Sequence, residues 1–99
     1  IGVTGIEGSG RPYAGERWRI SNVGETYTTI NSTDCLRWPT PEIRRIGGES
    51  GWGSFHPKNG DVGIVVTVTR HCDQEVDIVL LQVGAYVVPI GSAGVERVP

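Results

Sequence analysis

Hydrophobic and polar residues alternate along several short stretches of the chain, and this alternation predicts β-strands. In residues 16–23 (ERWRISNV), Trp18 and Ile20 point to one face, and Arg17 and Arg19 point to the other. Side chains that alternate in this way indicate a strand with one face on the core and one face in water.

The residues around this strand predict an arm before it and a second strand after it. Residues 1–15 contain five glycines and no sustained periodicity, which favours an extended Gly-rich arm. After Gly24, residues 25–30 (ETYTTI) are of types that fit a pleated sheet. We therefore expect residues 16–23 and 25–30 to pair as an N-terminal hairpin.

Residues 39–47 (PTPEIRRIG) fit two different structures. Thr40 could cap a helical turn that begins at Pro41 and ends before Gly47. Alternatively, the residues EIRRI form a strand that enters the sheet. The segment is too short to be stable as an isolated helix, so we favour the strand.

The C-terminal part of the chain is dense in β-branched residues, since fourteen of the residues from 62 to 98 are Val or Ile. Strands are predicted at residues 62–70, 76–83, 86–90 and 95–98, with short polar or Gly-rich turns between them. Alternation divides the first of these strands into two faces, with Val62, Ile64, Val66 and Val68 on one and Val65, Thr67, Thr69 and His71 on the other.

These strands predict an all-β fold. Residues 76–83 (VDIVLLQV) are apolar on both faces, which indicates a central or covered strand. Strands joined by tight turns, with no long helix, favour a small antiparallel barrel, because a closed sheet hides its edges. A chain of 99 residues suits one core. We therefore predict a Gly-rich arm at 1–15 and a single β-barrel domain at 16–99.

Aromatic side chains stand in a glycine-rich loop before these strands. Residues 47–59 (GGESGWGSFHPKN) hold Trp52, Phe55 and His56. Exposed aromatic residues are enriched where proteins bind partners, and Tyr86 on a later strand could join them. We therefore predict a ligand-binding surface formed by Trp52, Phe55, His56 and Tyr86. The alternative is that Trp52 folds over an open end of the barrel and caps the core.

The two cysteines and one histidine are the next candidates for chemistry. His71 and Cys72 are neighbours in a strand, so their side chains point to opposite faces and are not expected to form a nucleophile–base pair. We interpret His71 as a strand-end histidine. A disulfide between Cys35 and Cys72 is one prediction, and two separate buried thiols are the alternative. The wide spacing of the cysteines differs from that of zinc sites, and no metal site is predicted.

Charge and composition exclude several classes of function. The formal net charge is −2, without the basic surplus of nucleic-acid-binding proteins. No apolar run approaches the ~20 residues that cross a bilayer, and the N-terminus lacks the pattern of a signal peptide. The Gly-rich loop also lacks the lysine of a phosphate-binding loop. We therefore expect no nucleic acid, no membrane and no cofactor.

The order of several short motifs resembles that of a known family. The run RRIG at 44–47, a Trp-Gly pair at 52–53, glycines at 60 and 63, the residues IVV and the later IGSAG occur in this order. Over residues 42–98 this resembles the SH3-like small barrels, in particular the mind-bomb type of SH3-like domain. The resemblance implies that the strand of Tyr86 lies near the first loop, which is why Tyr86 is grouped with the aromatic residues of that loop. The ending YVVPIGSAGVERV is also similar to the plasmid-borne dihydrofolate reductases, which are tetrameric SH3-like barrels. Their Val-Gln-Ile-Tyr strand is not matched, so the resemblance implies a fold and no active-site residues.

Functions of different classes fit these observations. The first is a non-catalytic binding or assembly module whose aromatic Gly-rich loop contacts a peptide or small ligand. The second is a small oligomeric enzyme with a site formed at a subunit interface, and the third is a structural fragment of a larger assembly. We favour the binding module because no nucleophile–base pair or carboxylate pair can be assembled from the sequence.

Overall fold

The computed structural model describes residues 11–27, 36–47, 52–70 and 77–99 of the chain. These residues form a five-stranded antiparallel sheet with the strand order β4-β3-β2-β1-β5. One short helix, α1 (Pro41–Gly47), precedes β2. The strands in chain order are β1 (Arg17–Ile20), β2 (Val62–Arg70), β3 (Asp77–Val83), β4 (Tyr86–Gly91) and β5 (Val95–Arg97). The predicted all-β fold is therefore confirmed, and each of these strands overlaps a predicted one.

The sheet is open, so the closed barrel that was predicted is not confirmed. β4 and β5 are the edge strands, and no ladder joins them within the described residues. A single 3₁₀ turn, Ser92–Gly94, connects them. The edge of β4 instead contacts the segment after β1, because Thr26 forms a bridge with Ile90 and the Tyr27 N–H donates to the Pro89 carbonyl at 2.9 Å. This segment occupies the backbone positions that closure would need.

One face of the sheet carries a first core to which all five strands contribute. Its buried members are Trp18, Ile20, Val65, Val79, Leu81, Val88, Ile90 and Val95. Ile90 and Val95 belong to this cluster although their strands lie at opposite edges, so the sheet curves around the core. As predicted, Trp18 and Ile20 are buried, whereas Arg17 is exposed.

β2 contains a β-bulge at its centre. Val65 pairs with Leu81 and Thr67 pairs with Leu80, so Val66 is an extra residue in the ladder. A bulge of this kind places two residues opposite one and bends the strand. Because side chains alternate with a period of two, one extra residue also exchanges the faces of everything that follows.

The bulge explains why the predicted faces of β2 are right up to Val65 and wrong after the bulge. Before it, Val65 is buried, whereas Val62 and Ile64 are 39% and 42% exposed. After it, Val68 packs against the first core. Val65 and Val68 therefore contact the same core, although uninterrupted alternation places them on opposite faces.

The opposite face of β3 and β4 carries a second core. Its buried members are Leu36, Ile78, Leu80 and Val87. Ile43 and Ile46 of α1 pack against this cluster, so the helix covers this half of the sheet. Residues 78–81 are fully buried, which confirms the prediction that residues 76–83 form a central or covered strand.

Residues 41–47 form a helix, so the strand favoured for them is wrong. The Thr40 Oγ1 accepts a hydrogen bond from the Ile43 N–H at 3.0 Å, and the Arg44 N–H donates to the Thr40 carbonyl at 3.1 Å. Pro41 stands at the first helical position, where its missing N–H costs nothing. Packing on the second core stabilises a helix that is too short to persist alone. No helix in the described part of the chain is long and apolar enough to span a membrane.

The predicted N-terminal hairpin is wrong for the residues that the structure describes. β1 pairs with β2 on one side and with β5 on the other. A 3₁₀ turn, Val23–Glu25, follows it, and the Asn22 side chain caps this turn by accepting from the Gly24 N–H at 3.0 Å. The turn directs the chain to the edge of β4 instead of back along β1. Residues 28–30 and 1–10, which complete the predicted second strand and arm, lie outside the described residues.

Candidate functional site

A tight turn joins the loop residues Trp52 and Phe55. The Phe55 N–H donates to the Trp52 carbonyl at 2.9 Å and closes a four-residue turn. Gly53, the second residue of the turn, has a φ of +56°, which residues with a Cβ rarely adopt. The turn therefore depends on this glycine, and it brings two aromatic side chains side by side.

Trp52 anchors this turn to the edge of the sheet. Its indole Nε1–H donates to the Val87 carbonyl of β4 at 2.8 Å, and its side chain packs against the first core. Gly47, at the end of α1, approaches the same carbonyl so closely that a Cβ there would lie 3.1 Å from it. The helix and the aromatic loop thus converge on Val87. This contact is the one expected if Trp52 covers the core.

Phe55 lies between Trp52 and Tyr86. The rings of Phe55 and Trp52 meet edge to face, with centroids 6.4 Å apart and an angle of 81° between their planes. Phe55 and Tyr86 are stacked, with centroids 4.7 Å apart and planes within 4° of parallel. All three side chains are half-buried, and we call them the aromatic triad. Contacts of this type contribute about 0.5–1.5 kcal/mol beyond the area that they bury.

The hairpin between β3 and β4 positions Tyr86. Val83 and Tyr86 are paired across a two-residue turn, in which Gly84 has a φ of +62°. A positive φ at this point gives the turn a twist that matches the twist of the strands. Tyr86 is therefore the first residue of β4, and its ring contacts Phe55 of the loop.

His56 follows the aromatic triad in the chain, but its side chain is exposed. Beyond it the loop returns to β2 through a turn in which the Lys58 N–H donates to the Asp61 carboxylate at 3.0 Å. The structure therefore brings three of the four predicted binding residues into contact and leaves the fourth, His56, facing solvent beside them.

A separate surface pocket of about 280 Å³ lies at the start of α1. It is lined by Leu36, Trp38, Pro39, Thr40, Pro41 and Arg44. None of the residues that line this pocket was predicted to bind a ligand. The run of Trp and Pro at 38–41 is a signal that could have indicated it, because these rigid side chains leave gaps between them when they cover a helix end.

A polar network joins Glu16, just before β1, to Arg97 of β5. The Glu16 carboxylate accepts hydrogen bonds from the Trp18 Nε1–H at 3.1 Å and the Tyr13 N–H at 2.9 Å, and it pairs with Arg97 at 2.9 Å. Burial by itself would raise the pKa of Glu16, but these donors outweigh it and lower the pKa below its usual value. The network contains none of the triad residues, so its role is to hold β1 on β5.

The remaining predicted residues are Cys35, His71 and Cys72. All three lie outside the described residues. The disulfide between the two cysteines and the strand-end position of His71 therefore stay predictions. Within residues 11–27, 36–47, 52–70 and 77–99, no group of three or more His, Cys, Asp or Glu side chains could hold a metal ion.

No family model, curated protein or solved structure matches this chain. The resemblance to SH3-like barrels therefore stays a prediction, and any function must be inferred from the geometry of the site.

Proposed function

We propose that this chain is a non-catalytic binding or assembly module, and that the aromatic triad and His56 contact a peptide or small ligand. The observation that carries the proposal is the parallel stack of Phe55 on Tyr86, which is only half-buried and rests on an anchored Trp52. Large aromatic side chains held in this way dominate the binding energy of many interfaces.

The aromatic triad is ordered before any ligand arrives. Trp52 is held by its hydrogen bond to Val87, Phe55 by the turn at Gly53, and Tyr86 by its strand. Immobilising a free side chain on binding costs about 0.5–1.5 kcal/mol. Rings that are already fixed avoid much of this cost, which supports a role in binding.

The surface offers both apolar and polar contacts. The half-buried rings provide flat apolar area, while the Tyr86 hydroxyl and the His56 imidazole can donate or accept hydrogen bonds. Binding sites commonly combine an apolar surface with a few polar groups that orient the ligand. A ligand with a flat apolar group beside a polar one matches this combination.

The order of the strands supports the SH3-like resemblance as part of the proposal. β1 lies between β2 and β5, and a 3₁₀ turn, Ser92–Gly94, leads into the last strand. The resemblance implies the same helical turn into a final strand. β4 and β5 do not pair, which departs from a closed barrel, and Trp52 lies on the outer edge of β4.

A ligand screen monitored by nuclear magnetic resonance tests the proposal. The chain contains three tryptophans, and Trp52→Phe identifies the indole N–H signal of Trp52 among them. We expect aromatic fragments and short peptides that bind to shift this signal together with the backbone signal of Phe55. Binding that shifted only signals far from the triad would contradict the proposal.

Two substitutions of Phe55 separate binding from stability. Phe55→Leu keeps most of the apolar volume against the first core but removes the ring stack, so we expect affinity to fall by about 1–3 kcal/mol and stability by less than about 1.5 kcal/mol. Phe55→Ala should lower the free energy of unfolding by about 2 kcal/mol, below the usual cost for a fully buried Phe, because the side chain is only partly buried. An unchanged affinity in Phe55→Leu would contradict the binding role and leave the aromatic triad with only the role of covering the first core.

A further inference from the structure

Asn59 and Gly60 form the turn that returns the aromatic loop to β2, and both residues are exposed. An Asn followed by Gly is the dipeptide in which the backbone nitrogen reaches the side-chain amide with least hindrance, because glycine has no Cβ. Gly60 has a φ of +97° and open space where a Cβ would stand. We propose that this dipeptide is a deamidation site that the folded chain holds closed through two hydrogen bonds.

The reaction needs only water as a co-reactant. The Gly60 backbone nitrogen loses its proton to water or hydroxide and attacks the Asn59 Cγ. The Cγ–Nδ2 bond then breaks, ammonia leaves, and a five-membered succinimide forms. Water opens this ring at either carbonyl and gives aspartate or isoaspartate at position 59. Nothing is oxidised or reduced, and the net exchange is one water for one ammonia.

The nucleophile of this reaction is engaged in the folded chain. The Gly60 N–H donates to the Ile20 carbonyl at 2.7 Å, and the Ile20 N–H donates in return to the Asp61 carbonyl at 2.8 Å. These bonds continue the ladder between β1 and β2 by one residue. The nitrogen can lose its proton and turn towards the side chain only after this contact opens.

The electrophile is also restrained. The Asn59 Oδ1 accepts a hydrogen bond from the Val23 N–H at 2.7 Å, which ties the side chain to the 3₁₀ turn after β1. A donor on this oxygen polarises the carbonyl, but attack requires the nitrogen and Cγ to be aligned at close range. Because the same bond fixes the side chain on Val23, its release precedes the reaction.

Deamidation therefore follows the opening of this turn, and its isoaspartate product prevents the turn from closing again. Isoaspartate inserts an extra methylene into the main chain, so Gly60 and Asp61 can no longer both meet Ile20 in the ladder. Aspartate keeps an acceptor for the Val23 N–H. Isoaspartate at position 59 is therefore a chemical marker that the turn has opened, and its formation requires no ligand.

The first experiment compares the folded chain with a synthetic peptide of residues 55–64 at the same mildly alkaline pH. Peptide mapping by mass spectrometry measures the exchange of amide for carboxyl at Asn59 and separates aspartate from isoaspartate. We expect the folded chain to react at least about tenfold more slowly, in line with a closed turn. Equal rates would overturn the proposal. Asn22, which precedes the branched Val23, is an internal reference in the same digest.

A matched pair of variants tests the side-chain restraint. Val23→Pro removes the N–H that holds Asn59, and Pro suits this position because Val23 begins the 3₁₀ turn and Asn22 before it is extended. Val23→Ala keeps the N–H and removes only the two methyl groups of the valine side chain. We expect Val23→Pro to deamidate about fivefold faster than Val23→Ala when both are folded, because only its turn is released. A rate equal to or below that of Val23→Ala would overturn the proposal.

The unaltered chain provides a test that does not depend on the folding of any variant. Hydrogen exchange of the Gly60 amide reports the opening of its bond to Ile20. In low concentrations of urea, we expect the deamidation rate at Asn59 to rise in proportion to this exchange rate. Deamidation that stayed constant while exchange accelerated would show that the reaction occurs in the closed turn, against the proposal.

Discussion

The two halves of the sheet differ in how many of their faces are covered. β3 and β4 are buried on both faces, by the first core on one side and by α1 on the other. β1 and the start of β2 are buried on one face only, and Val62 and Ile64 are exposed on the other. A precisely positioned surface in an open sheet is therefore expected on the half that is covered on both faces. Tyr86 and the Val87 carbonyl that receives Trp52 both belong to the half with support on two sides.

The largest effect is expected for Leu80→Ala in the half that is covered on both faces. The substitution removes a fully buried side chain from the second core, so the free energy of unfolding should fall by about 2–5 kcal/mol. Urea denaturation measures this loss through the midpoint concentration, with an unchanged slope.

Ile64→Ala is the matched control on the other half. Ile64 pairs with Gln82, two residues from Leu80, so both side chains project to the same face of the sheet. Ile64 is 42% exposed, and its truncation should cost less than about 1.5 kcal/mol. Similar losses of unfolding free energy in Leu80→Ala and Ile64→Ala would show that the two halves do not differ in this way.

An intermediate effect is expected for Trp52→Phe at the edge of β4. Phe keeps most of the apolar contact with the first core but has no N–H for the Val87 carbonyl. The carbonyl of the buried residue Val87 would lose its donor, which should lower stability by about 1–2 kcal/mol, measured by the same denaturation. Unchanged stability would show that water replaces the indole without cost and that the aromatic loop is not anchored through this bond.

The smallest effect is expected for Glu16→Gln on the half covered on one face. The pKa of Glu16 is lower in the folded chain, so the ionised carboxylate stabilises the fold above its unfolded-state pKa, and this contribution is lost as the pH falls through the folded pKa. At neutral pH the variant should be less stable by about 0.5–1 kcal/mol, as for other partly exposed pairs. Denaturation in acid should show this difference shrinking. A difference that grew on acidification would contradict the role given to Arg97 and the Trp18 indole.

Strands were predictable where a local pattern alone determines the structure. The alternation in residues 16–23 and the apolar run of 76–83 led directly to β1 and β3, because the side-chain period of a strand is visible in the sequence. For residues 41–47 the helix was recognised as an alternative but not favoured, because its stability comes from packing on the second core, which a local pattern does not contain. The bulge at Val66 was missed because it lies in an uninterrupted run of β-branched residues that marks no irregularity.

The sequence predicted which residues belong to the candidate site better than it predicted how they are arranged. Glycines around Trp52 and Phe55 indicated aromatic side chains outside regular structure, and Tyr86 was included through the resemblance to SH3-like barrels. The anchoring of Trp52 was not predictable, because it depends on which strand lies at the edge of the sheet. The parallel stack of Phe55 on Tyr86 likewise follows from the φ of Gly53 and Gly84, which the sequence permits but does not require.

The covered edge of β4 also affects how copies of the chain behave when they are crowded together. An exposed edge strand is a template on which another chain can add through backbone hydrogen bonds, and such addition begins many aggregates. At β4 the outward carbonyls of Val87 and Pro89 already accept hydrogen bonds, and Pro89 has no N–H to donate. At the opposite edge, β5 has three residues and carries Glu96 and Arg97. A sheet that stays open is thereby protected at both edges against growing into a fibril.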